Sequence, residues 1–241
     1  MKVSSSGAWL DVEFGSTHRV LSWALIGGAF VDADLVSWRQ VTDSDLREDI
    51  DPLDWLERDL HRRGRRSDVV FLTSRRLSNW ERADASVDGV QATVIATVGL
   101  GNALRVGHAG GLVRPADHRP ESVAMPGSSA TGWGTINILC RASVELSDAA
   151  LIEALSLVAE ARTLAITGRR LQVEGGDATG TGTDCIAVAA TRGGAERVGY
   201  AGKHTAIGQA IGLAVREAVG RGADRWLAER GSMAARRPKH P

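Results

Sequence analysis

The chain has 241 residues, 43% hydrophobic and 24% charged, the range of an ordinary globular protein. Its 29 Lys and Arg balance 29 Asp and Glu, so the formal net charge is zero, which argues against a protein built to neutralise many phosphates. The longest apolar stretch, near Val20–Val31, falls short of the ~20 residues a membrane helix needs and follows no cationic leader, so a cytoplasmic location is expected.

Residues 8–41 read as a β region. Trp9–Phe14 alternates, Arg19–Ile26 is largely apolar, and Ala33–Val41 follows the Gly27-Gly28 turn. Asp51-Pro52 opens a helix through Leu60, with Leu53, Leu56 and Leu60 at helical spacing. Arg62, Arg63, Arg65 and Arg66 are read as a solvated helix end, where cations suit the helix dipole, and not as a nucleic-acid patch. Val69–Thr73 reads as a short buried strand.

From residue 89 to Gly220 glycines concentrate, and Trp133 and Tyr200 are the aromatic residues there. Strands are predicted at Gln91–Val98, Thr135–Ala142 and Cys185–Ala190. The stretch from His108 to Ser128 carries Pro115, Pro120 and Pro126 and reads as a long loop. Ser147 caps a helix whose stripe is Leu151, Leu155 and Val158. A second helix is predicted from Thr205 to Val219, buried through Ile207, Ile211 and Val215 and ended by Gly220. Cys140 and Cys185 lie in strand-like runs without ligand spacing and read as buried reduced thiols, so no metal site is expected. The prediction is one α+β domain over 1–230, a mixed β-sheet with helices packed mainly on one face, then a disordered basic tail over 231–241.

Three segments could carry chemistry: TVGLGNALRVG (Thr97–Gly107), GWGTINI (Gly132–Ile138), and ATGTGTD (Ala178–Asp184) leading to YAGKHT (Tyr200–Thr205). In an extended chain Thr179, Thr181 and Thr183 project from one face, a row of hydroxyls with glycines between them. AGKHT precedes a helix, where free N–H groups, Lys203 and His204 suit an anion or oxyanion. It is not a phosphate-binding loop: Arg197 stands where the first Gly is needed and His204 where Ser or Thr should follow the Lys. Gly99-x-Gly101 is not a dinucleotide fingerprint, since Asn102 and Arg105 occupy the later glycine positions.

Taken in order, VLSWALIGGAF, TVGLGNALRVG, GTINI, ATGTGTD and AGKHT resemble the adenosylcobinamide amidohydrolase family of corrinoid salvage, over roughly residues 18–220. The resemblance implies a hydrolase that cuts the amide between a corrin side arm and aminopropanol, giving adenosylcobyric acid and 1-aminopropan-2-ol. The corrinoid is then a small-molecule substrate and no cofactor is identified. No nucleic-acid or membrane partner is expected, and a homo-oligomer is compatible with the sequence. Asn102, Thr135, Asn137, Thr179, Thr181 and Thr205 are the candidate substrate-binding residues, as donors and acceptors for corrinoid amides. For catalysis, Asp184 or His204 is the candidate general base, Lys203 and the helix-start amides hold the oxyanion, and His204 protonates the departing amine. A covalent alternative uses Thr183 or Thr181 as nucleophile, in one form after self-cleavage before Thr183. A non-catalytic corrinoid-binding or delivery protein is the competing reading.

Overall fold

The structure, a computed structural model, describes residues 1–42, 44–46, 50–64, 66–108, 134–194 and 197–236. The first half contains β1 (Lys2–Ser6), β2 (Trp9–Ser22), β3 (Ala29–Gln40), α1 (Pro52–Arg63), β4 (Val69–Thr73), a 3-10 turn at Leu77–Asn79, β5 (Glu81–Val87), β6 (Val90–Val98) and β7 (Ala103–Leu104). The second contains β8 (Ile136–Ala142), β9 (Glu145–Leu146), α2 (Asp148–Thr167), β10 (Gln172–Val173), β11 (Gly176–Asp177), β12 (Gly180–Thr181), β13 (Cys185–Thr191), β14 (Arg197–Val198) and α3 (Ala206–Arg236). The fold is a mixed α+β domain. Most of the predicted His108–Ser128 loop, together with Gly132 and Trp133 of GWGTINI, lies outside the described residues.

One eight-stranded sheet in the order β4-β3-β2-β13-β8-β6-β5, with β1 beside β2, forms the frame. Only β3–β4 and β13–β8 are parallel pairs within it. The two apolar runs at Trp9–Phe14 and Arg19–Ile26 are halves of one strand, β2, interrupted by a register shift between Glu13 and His18. Register puts Val20 beside Ala189 and Trp38 beside Phe71, and these residues share a core with Ile95 and Leu139 on one face of the sheet.

Strands alternate their side chains between faces. The neighbours of that core, Val94, Cys140, Ile186 and Val188, therefore point outward and are covered by α2 and α3. Trp9 and Val70, on the same outer face toward the β4 edge, are covered by α1 through Trp55 and Leu56. The helices thus lie on one face, as the sequence predicts. The inner face is closed by the sheet itself. Asn137 Nδ2 on β8 donates to Leu72 O on β4 at 2.6 Å, although three strands separate β4 from β8 in the sheet order. The sheet is rolled.

Capping follows the sequence at two helices. Asp51 accepts from Leu53 N and Asp54 N at the start of α1, and Ser147 accepts from Ala150 N at the start of α2. The third helix departs from the reading: α3 continues through Gly220 to Arg236, well past Val219. The glycines there serve close packing, since a Cβ on Gly222 would lie 2.6 Å from Val98 Cγ2. Along the same stretch Arg221 and Arg225 reach buried Glu81, and Glu229 takes Arg75 and Asn79. The segment from Gly231, read as a disordered tail, is helical as far as Arg236, and 237–241 lie outside the described residues. The edge strand β5 went unpredicted because its alternation, ERADASV, carries a buried Glu81 among its inward positions. Among the described residues no helix is long and apolar enough to cross a membrane.

Candidate active site

Where the rolled sheet opens, a cleft of about 580 Å³ lies between the turn after β2, the start of α1, the end of β4 and the loops around β8 and β13. Its rim is apolar, with Trp23, Leu25 and Leu53, and its floor is polar, with Asn102, Thr135, Asn137, Thr183 and Asp184. The floor is assembled by two loops in contact. A Cβ on Gly134 would lie 2.3 Å from Gly101 N, so glycine there lets the segment before β8 close on the loop after β6. The two-residue ladder of β12 with β7, Gly180 beside Leu104 and Thr181 beside Ala103, ties the threonine loop to the same place.

Thr183 sits at the centre. Its Oγ1 accepts a long hydrogen bond from Asn102 Nδ2 at 3.4 Å and donates to Gly134 O at 3.3 Å. Thr135 Oγ1 donates to Thr183 O at 2.8 Å and lies 3.2 Å from Asn137 Oδ1. Asn102 Oδ1 is buried and has no hydrogen-bond partner among the described residues. One side-chain amide and one backbone carbonyl therefore hold the Thr183 hydroxyl at the cleft floor, while Thr135 holds the Thr183 carbonyl.

Asp184 anchors this turn. Its carboxylate accepts from Ile136 N at 3.1 Å and Thr181 N at 3.0 Å, from Thr181 Oγ1, and from Arg162 of α2 in an ion pair. The Asp184 side chain is 5% exposed and that of Arg162 17%. Burial raises the Asp184 pKa, and the Arg162 charge and the Thr181 and Ile136 donors oppose the shift. Gly180 makes room, because a Cβ there would lie 2.4 Å from Asp184 Oδ2.

The structure thus brings together Asn102, Thr135, Asn137, Thr183 and Asp184, and separates them from the remaining sequence candidates. Asp184, a candidate general base, lines the cleft with four donors already on its two oxygens, the environment of an anchoring carboxylate. Thr179 and Thr181 do not line the cleft. Thr179 Oγ1 accepts from Val106 N at 2.8 Å and Thr181 Oγ1 is spent on Asp184. The row of three hydroxyls fails because β12 stops at Thr181 and the chain turns at 182–183.

Lys203 and His204 are exposed, and neither is among the residues of the cleft. Lys203 Nζ pairs with Glu160 at 2.6 Å on the outer side of α2. Thr205 is the cap of α3: its Oγ1 accepts from Gly208 N at 3.0 Å and donates to Gly202 O at 2.8 Å. The helix-start residues read as an oxyanion site are thus engaged elsewhere or exposed, and do not line the cleft.

Sequence reasoning missed Arg162 and the apolar rim. Trp23 and Leu25 stand inside VLSWALIGGAF, which the sequence offers as strand and as part of the family resemblance but not as site residues, while Arg162 carries no local signal in its helix. Cys185 lies at the cleft, and burial pushes its thiol up to about 12, so it is no thiolate at neutral pH. Cys140 is buried and also pushed up to about 12. Among the described residues, no group of three or more His, Cys, Asp or Glu is placed to hold a metal ion.

Comparison with known proteins adds the following. A family model described as CbiZ: Adenosylcobinamide amidohydrolase matches residues 1–231. A curated protein of Methanocaldococcus jannaschii, Uncharacterized protein MJ1613, is 37% identical over 89 residues, covering 36% of this chain and 34% of that one. The match therefore spans about a third of that relative's length. Among solved structures, a Burkholderia sp. beta-aminopeptidase aligns at TM-score 0.39 and 13% identity, covering 91% of this chain and 78% of that chain. The PH0078 protein from Pyrococcus horikoshii OT3 aligns at TM-score 0.39 and 11% identity, covering 92% and 77%.

Proposed function

This chain belongs to the adenosylcobinamide amidohydrolase family, and from that premise we propose that it hydrolyses the amide joining a corrin side arm to aminopropanol in adenosylcobinamide. Water is added across the C–N bond: the acyl carbon gains oxygen, giving adenosylcobyric acid, and the nitrogen leaves protonated as 1-aminopropan-2-ol. The product can re-enter cobamide synthesis, so the role is salvage of incomplete corrinoids. The substrate is a small molecule, and the chemistry is built from the chain's own residues.

The observation that carries the reading is the Thr183 hydroxyl, held at the floor of the cleft between Asn102 Nδ2 and Gly134 O. In this proposal Thr183 Oγ1 bonds to the acyl carbon as the C–N bond breaks, the hydroxyl proton passing to the departing nitrogen, and water then cleaves the resulting ester, its oxygen going to the acyl carbon and a proton returning to Oγ1. Asn102 Nδ2 has a second N–H besides the one given to Thr183, and that donor meets the oxygen of the attacked carbonyl. Thr135 fixes the Thr183 carbonyl, Asn137 ties β8 to β4, and Asp184 with Arg162 holds the turn in place. Lys203 and His204 take no part.

The test is incubation of purified protein with adenosylcobinamide, without nucleotide, with and without a chelator, followed by mass spectrometry. Adenosylcobyric acid and free aminopropanol in equal amounts support the proposal. Tight binding without release of aminopropanol would overturn it in favour of a corrinoid carrier.

A further inference from the structure

Trp23 is held in an unusual way for so large an apolar side chain. It follows β2 directly, and its indole Nε1–H donates to Asp184 O at 2.9 Å, the carbonyl one residue beyond Thr183. The ring is nevertheless 48% exposed, and Leu25 beside it is 51% exposed. Both line the cleft. Exposed aromatic surface is commonly found on mobile loops, but this turn is fixed at both ends. Ser22 Oγ donates to Ile186 O at 2.9 Å and accepts from Ala24 N at 3.0 Å. Four residues after Ser22, Ile26 O accepts from Val70 N at 3.1 Å. Gly27, at φ 75°, packs its Cα side against the Asp68 carbonyl, where a Cβ would lie 2.1 Å away.

The result is a rigid apolar ledge above a polar floor. Its orientation costs nothing further when a ligand arrives, because the ordering has been done by the fold. Resting on the proposed function, we infer that Trp23 and Leu25 form the platform on which the flat, apolar part of the corrinoid lies while one amide-bearing arm descends to Thr183. The ledge selects substrates that carry a large planar face next to the scissile arm, and it does not touch the reacting bond. A polar arm alone would find donors and acceptors at the floor but nothing to stack on. Aromatic surfaces stack on extended π systems with offset geometry, and an anchored indole supplies that surface at low entropic cost.

The test compares the wild type with Trp23→Phe and Trp23→Ala, each first checked for an unchanged melting temperature and circular dichroism spectrum. Binding of adenosylcobinamide is measured by equilibrium dialysis, read by corrin absorbance, so the readout is independent of turnover. Trp23→Ala weakens binding about tenfold, whereas Trp23→Phe, which keeps a ring but loses the hydrogen bond, stays within about threefold of the wild type. Steady-state kinetics then show the loss in KM with kcat largely kept. Equal weakening in both variants would overturn the platform, because it would assign the effect to the bond with Asp184 O. Unchanged binding in Trp23→Ala would overturn it too, even with full hydrolysis by the wild type. Binding that depends on Trp23 without any release of aminopropanol would leave the ledge standing and sink the hydrolytic reading.

Discussion

Replacing Arg162 by Met keeps the aliphatic stem on α2 and removes the charge that faces Asp184. The carboxylate, 5% exposed, then keeps Ile136 N, Thr181 N and Thr181 Oγ1 but no counter-charge. Removing one partner of a buried pair costs about 3–5 kcal/mol, since the other charge is left desolvated. For a chain of this size that corresponds to a melting point lower by roughly 6–20 °C. The loss should shrink with acidity. Burial already raises the Asp184 pKa against the pull of Arg162, and without Arg162 the rise is larger. A raised native pKa means the folded state binds the proton more tightly than the unfolded state. The variant is therefore penalised most at neutral pH and regains stability relative to wild type as pH falls toward the ordinary carboxylate range. Urea denaturation at pH 7 and pH 5 reads both effects. The double variant Arg162→Met with Asp184→Asn, which removes the orphaned charge, should recover part of the loss, giving a coupling above about 1 kcal/mol. Folded Arg162→Met at low temperature should also turn over at least about tenfold more slowly, because the turn carrying Thr183 loses its anchor. A stability loss under about 1 kcal/mol, unchanged between the two pH values, would refute this reasoning.

Two further outcomes follow from the same geometry. His204→Ala should keep hydrolysis within about threefold of the wild type, since His204 is exposed and away from the cleft; loss of turnover in a folded variant would return the catalytic role to the helix entry. His18 is buried at the far end of the inner face, with Nδ1 on Ser16 O at 2.8 Å and Nε2 accepting from Arg141 Nε at 2.9 Å. Burial lowers its pKa below 6.5, so the unfolded chain takes up a proton that the native state refuses. That contribution to stability is complete above pH 6.5 and is lost as pH falls, at up to about 1.4 kcal/mol per pH unit. Denaturant titrations between pH 7.5 and 5 should show a flatter dependence in His18→Gln, and an identical slope in both proteins would contradict the assignment.

The legible parts of the fold were those fixed by local chemistry. Asp51-Pro52 and Ser147 start helices because capping needs only a side chain and the next three N–H groups. Asn102, Thr135, Asn137 and Thr183 were legible because small polar residues at the ends of apolar strands meet where strands converge. The other candidates were settled partly at a distance and partly by local turns. Lys203 looked free until α2 supplied Glu160, 43 positions earlier in the chain, and Thr205 looked like a ligand although its hydroxyl closes its own helix. Thr179, Thr181 and Thr183 looked like one face until the turn after Thr181 gave each hydroxyl a different partner. Gly220 looked like a cap because nothing local shows that neighbouring Gly222 packs against Val98. The rolling of the sheet, which brings Asn137 to Leu72 and so creates the cleft, has no local signature at all.

The most direct test of the central claim is hydrolysis of adenosylcobinamide by Thr183→Ala and Thr183→Ser beside the wild type, with aminopropanol quantified by mass spectrometry. Removal of the hydroxyl should lower turnover by about a thousandfold or more while the melting temperature stays close to that of the wild type, and the serine variant should keep measurable turnover. Release of aminopropanol by Thr183→Ala at the wild-type rate would contradict the account.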